Sequence, residues 1–227
     1  MSRFLIQWSQ AVQELSYRPD KWLGGIVQWL LYIMMLTICI KPLDMLEEYQ
    51  KAGLIWLILV SNILQDIQRY WDWGQIVDEY EWYYFAKAQR NYWWQYRLAA
   101  LWTIQAICCL IGLWIAQVAL ELAEKTLFYL CVLWLILSPF YYLLWLLQRL
   151  VALGSRYGNL INLVLVVPWI LPTILFIHEL LIADALGQRI WGYFVLLAGI
   201  SLLSIAWLPK VIDRTMQEVY WRMRCQT

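Results

Sequence analysis

Few residues in this chain could do chemistry. His178 is the sole histidine among the 227 residues, and Glu179 follows it. The pair does not open an H-E-x-x-H zinc site, because Ile182 stands where the second histidine would be. A single histidine could supply one axial ligand to a haem, which makes His178 a haem-proximal candidate. The plainer alternative is an interfacial histidine that keeps its polar edge near water. The five cysteines are Cys39, Cys108, Cys109, Cys131 and Cys225, and none forms a C-x-x-C pair. Most fall in apolar runs, where cysteine behaves as a small hydrophobe, so neither a disulfide framework nor a metal site is expected. No G-x-x-x-x-G-K-S/T loop is present to cradle a nucleotide, and no acid–base constellation points to a catalytic residue. The reading is of a protein that is not itself an enzyme and binds no cofactor of its own.

Proline gives a second kind of signal. Pro168 and Pro172 lie four apart in one apolar run, and Ser138-Pro139 interrupts another. Each proline removes a backbone hydrogen bond and favours a kink. Inside a membrane helix this is tolerated where neighbours satisfy the freed carbonyl. Pro168, Pro172 and Pro139 are therefore hinge candidates, with a static packing kink as the alternative.

The elements that carry these residues are apolar. The hydrophobic fraction is 63%, charged residues are 15% and the mean hydropathy is +0.57, well away from a soluble domain at ~25% charged. The expected fold class is an all-α polytopic membrane protein forming a single domain over residues 1–227. Six runs approach the ~20 apolar residues that a span needs: about 22–40, 52–67, 98–120, 126–150, 160–182 and 190–208. Residues 2–17 are amphipathic, with Phe4, Leu5, Trp8, Val12 and Leu15 on one stripe, and read as an interfacial helix on the bilayer. They lack a continuous apolar core, so no cleavable signal peptide is expected. Lys210 to Thr227 reads as a polar tail with a short amphipathic helix.

Orientation follows from Lys and Arg. With both termini inside, thirteen of the seventeen basic residues face inward; Lys41, Lys51, Lys125 and Arg189 are the four outside. The outside loops are short. The net charge of +1 provides no field for nucleic acid. Span centres are almost free of charge, which argues against ion-coupled transport.

The exception to this apolarity is the stretch from Asp66 to Arg97, rich in both charge and Trp/Tyr. Trp73, Ile76, Val77, Tyr80, Tyr83 and Tyr84 recur at helical spacing, opposite Asp78, Glu79 and Glu81. Residues 68–97 thus read as an inside surface segment carrying an amphipathic helix. It could dock an inside partner or lie on the membrane without one.

The order of elements resembles the permease half of an ABC exporter. Gly53-Leu54-Ile55-Trp56, and the run from Leu153-Gly154-Ser155-Arg156-Tyr157-Gly158-Asn159-Leu160 into Val166-Val167-Pro168-Trp169-Ile170-Leu171-Pro172, resemble the haem exporter protein B family (cytochrome c maturation protein B). The resemblance implies a multi-pass protein of a bacterial plasma membrane or mitochondrial inner membrane. It implies ATP bound by a separate ABC ATPase subunit, haem as substrate of the complex, and haem-handling C and small D membrane components as partners. It places the ATPase dock at Asp72, Gly74, Ile76, Asp78, Glu79 and Tyr80. The family pattern there is acidic-Gly-x-Leu-Glu; Gly74 and Ile76 fit, the expected Glu falls on Val77, and the prolines that should follow are replaced by Tyr83, Tyr84 and Phe85. That departure motivates an alternative: a structural or accessory subunit of a larger membrane complex, descended from such a permease and no longer ATPase-coupled.

Overall fold

A computed structural model describes residues 8–13, 27–35, 47–70, 93–153 and 158–224. Every element among them is an α-helix: α1 (8–13), α2 (27–35), α3 (Glu48–Tyr70), α4 (Trp93–Leu120), α5 (Glu124–Leu153), α6 (Gly158–Ala185) and α7 (Trp191–Arg224).

The helix ends follow from local chemistry. At the start of α3 the Gln50 side chain accepts a hydrogen bond from the Glu47 amide at 3.2 Å, the reciprocal half of a capping box. α4 and α6 end in the same way. The Leu122 amide reaches back to Gln117 O at 3.1 Å, with Glu121 in the left-handed region at φ 52°. The Gln188 amide reaches Ala183 O at 2.8 Å, with Gly187 at φ 67°. Both are Schellman closures. Only the second uses the glycine that this conformation favours.

α4, α5 and α7 are each long and apolar enough to cross a membrane. Their burial differs sharply. In α5, 67% of the apolar window is buried, against 22% in α7. α5 is the hub: α3, α4, α6 and α7 all pack against it, α7 most extensively. Its buried residues, from Leu130 through Trp134 and Leu137 to the run Phe140–Leu146, cover every side of the helix, as a helix apolar all round requires. α2 sits between α3 and α4. Tyr32 accepts from Gln28 at 2.7 Å and from Gln65 of α3 at 3.2 Å, while the buried Trp29 ring occupies the space beside Gly112 of α4.

Two boundaries differ from the sequence reading. The tail after Leu208 is not a separate short helix: α7 runs unbroken through Pro209 to Arg224, 34 residues or about 51 Å. Leu208, Ile212, Met216, Val219 and Tyr220 are buried along one stripe, and this packing outweighs the one hydrogen bond that Pro209 removes. Of residues 68–97, read from sequence as an inside surface segment, 71–92 lie outside the described residues. Residues 68–70 complete α3, and 93–97 already belong to α4.

Candidate functional site

The segment expected to dock a partner lies outside the described residues, with Asp72, Gly74, Ile76, Asp78, Glu79 and Tyr80 all in it. What the structure does assemble is a polar cluster at one end of the bundle and a line of proline-associated contacts through its middle.

The end cluster joins the three loops that were expected outside. The first turn of α3 serves both ends of the α4–α5 connection. Lys51 Nζ donates to Leu120 O at 3.3 Å, and Glu48 Oε1 accepts from the Ala123 amide at 2.8 Å. A cation thus meets the carbonyl end of α4 and an anion the amide end of α5, each in its favoured place on the helix dipole. On the other side, Lys125 Nζ lies 2.7 Å from Asp184 Oδ1. Tyr129 donates its hydroxyl to the same oxygen at 3.0 Å, and Lys125 lies 5.7 Å from the centre of the Tyr129 ring. The carboxylate of Asp184 raises the pKa of Lys125 above its ordinary value, and the ammonium in turn holds an acid that the last turn of α6 would otherwise disfavour. His178 lies at this end too. Its ring packs edge-on against Tyr49, with centroids 5.3 Å apart and planes at 83°. His178 is half-buried and Glu179 exposed. Among the described residues no group of three or more His, Cys, Asp or Glu side chains could hold a metal ion.

The prolines fall inside unbroken helices. Pro168 and Pro172 lie on the exposed side of α6 together with Leu171 and Leu175, so they face away from the other described helices. The opposite side carries Thr173, which shares a 2.6 Å hydrogen bond with the Tyr141 hydroxyl of α5. Tyr141 stacks in turn near Trp56 of α3, and Trp56 packs edge-on against Trp134 at 6.0 Å. Pro139 is flanked by Ser138, whose hydroxyl accepts the Trp102 indole N–H at 2.7 Å. Ser201 of α7 donates to Ile136 O at 2.5 Å, one residue beyond the Leu135 carbonyl that Pro139 leaves without its helical donor.

Lys125, Asp184, Tyr129, Glu48 and Tyr49 were not singled out from sequence. The available signal was their position: each charge stands within a few residues of a helix end, where a dipole or a neighbouring loop can use it.

These features define a multi-helical membrane protein whose polar side chains tie helix ends and kinks together and form no catalytic constellation among the described residues. The CcmB protein family matches residues 15–217, and the chain belongs to that family, the haem exporter protein B or cytochrome c maturation protein B family. It is therefore a haem-exporter-related membrane protein of cytochrome c biogenesis, and its family is a transport permease subunit rather than an enzyme. No curated protein matches the chain.

Proposed function

We propose that this chain is the permease subunit of an ABC haem-exporter complex, coupling a separate ATPase to haem delivery across or at an inner membrane. The observation that carries this reading is the family match over residues 15–217, which takes in both the charged segment between the second and third spans and the double-proline helix. In this reading the chain crosses the membrane six times with both termini inside. The Lys and Arg distribution supports that topology, as does the clustering of three expected outer loops at one end of the bundle. ATP is bound and hydrolysed on the partner. Its motion enters through Asp72, Gly74, Ile76, Asp78, Glu79 and Tyr80. α6, whose Pro168 and Pro172 remove backbone hydrogen bonds, and α5 at Pro139 are the helices suited to respond. His178, which packs beside Tyr49, meets haem at the outer end in this reading. The C and D components receive haem on that side.

Co-purification tests the reading. The unaltered chain should retain its ATPase through detergent extraction, and Ile76→Asp or Tyr80→Asp should release it. A chain that carries no ATPase, and appears instead in stoichiometric amounts in another membrane assembly, would establish the accessory-subunit alternative. The altered residues at Val77 and at Tyr83–Phe85 are what favour that second reading.

A further inference from the structure

At the end of the bundle opposite His178 lies a groove between helices. α4 and α7 both pack on α5 but scarcely meet each other. The gap between them is a cavity of about 230 Å³, floored by Pro139 and Tyr142 of α5 and walled by Leu98 and Trp102 of α4 and Ile205 and Pro209 of α7. At its far end the Trp94 indole N–H donates to Asp213 Oδ1 at 2.5 Å and bridges the two walls.

We propose that this groove seats one acyl chain of an anionic phospholipid, with the headgroup held at Lys210 and Arg214. The lining is largely hydrocarbon, with Gln95 its one amide side chain, beside Trp94. Trp94 and Trp102 have already given their N–H groups to Asp213 and Ser138, so both indoles turn carbon toward the cavity. Access is lateral: Ile205, on the α7 wall, is 44% exposed. From Trp94 to Trp102 the wall rises about 12 Å, close to the ~15 Å of hydrocarbon in one leaflet.

The headgroup follows from charge. Lys210 and Arg214 are exposed and one turn apart on α7, immediately past Pro209, where basic side chains attract anionic lipid. Of the neighbouring acids, Asp213 is engaged with Trp94, and Glu218 stands one turn beyond Arg214, farther from the groove. The proposal rests on these helices spanning a bilayer, but not on which side is inside.

Lipid photo-crosslinking tests it. The full chain is placed in phosphatidylcholine nanodiscs containing traces of diazirine-acyl phosphatidylglycerol or diazirine-acyl phosphatidylcholine, irradiated, and mapped by peptide mass spectrometry. Adducts of the glycerol probe should concentrate at Leu98–Trp102 and Ile205, several-fold above those of the choline probe. Ala99→Trp, or Ile205→Trp from the opposite wall, should remove them while adducts at the exposed Ile107 and Ile111 persist. Lys210→Gln with Arg214→Gln should lower the glycerol probe to the choline level. Equal labelling by the two probes would overturn the proposal. So would adducts spread simply by exposure, filling variants without effect, or a protein–protein crosslink through the groove. Failure of the chain to enter nanodiscs would instead reject the membrane reading itself.

Discussion

Two glycines in the helices have opposite environments, and this sets opposite outcomes for one substitution. A Cβ added at Gly112 would fall into the Trp29 ring, which is 5% exposed and has little room to move. A Cβ at Gly53 meets nothing within 4 Å. Gly112→Ala should destabilise the protein by about 1–3 kcal/mol through overpacking. Gly53→Ala should stabilise it by about 0.5–1 kcal/mol through the lower chain entropy of alanine in a helix. Thermal unfolding in detergent measures both, and equal melting temperatures for the two variants would contradict the seating of α2 on α4. Neither environment could be read from sequence, because both glycines stand in similar apolar runs. His178 was legible as the one unusual side chain; its partner Tyr49 was not, because 129 positions separate them and only the fold brings α3 alongside α6.

At the scale of the elements, the contact most exposed to test joins α5 to α6. Tyr141 and Thr173 share a buried hydrogen bond one residue past Pro172. Tyr141→Phe should cost about 1–3 kcal/mol, because it strips a partner from a buried hydroxyl. Thr173→Val should cost a similar amount, and the double variant less than the sum of the two. Additive losses would show that the pair does not couple the helices. Hydrophobic run lengths gave four of the runs, 52–67, 98–120, 126–150 and 160–182, as helices within about five residues of their observed limits, since apolar length directly reports what a bilayer accepts; the ends of the first run lie outside the described residues. The same logic ended the last helix too early. It ended the run at Leu208 and read Lys210 onward as a polar tail, whereas Ile212, Met216 and Val219 continue the buried stripe and carry α7 to Arg224.

For the whole molecule, topology is the quantity that organises everything else. Single cysteines in an otherwise cysteine-free chain should separate by face. Glu121→Cys and Gln188→Cys should react with a membrane-impermeant thiol reagent from outside, and Glu218→Cys only after the membrane is opened. Reaction of all three from one side would refute the alternation of spans. The sequence by itself determined the helical membrane class, most of the apolar helical runs, the charge asymmetry and the family pattern, because each depends on local composition or on residues near one another in the chain. The tertiary structure alone decided that α5 is the hub, although α4, α5 and α7 are all apolar enough to span. It turned Pro168 and Pro172 outward, bound three loops together through Glu48, Lys51, Lys125 and Asp184, and left a groove between α4 and α7. The physical reason is that, in a chain apolar nearly everywhere, hydropathy says which segments leave water but not which of their faces meet. That choice rests on close packing and on a few paired polar groups, which only the assembled helices can satisfy.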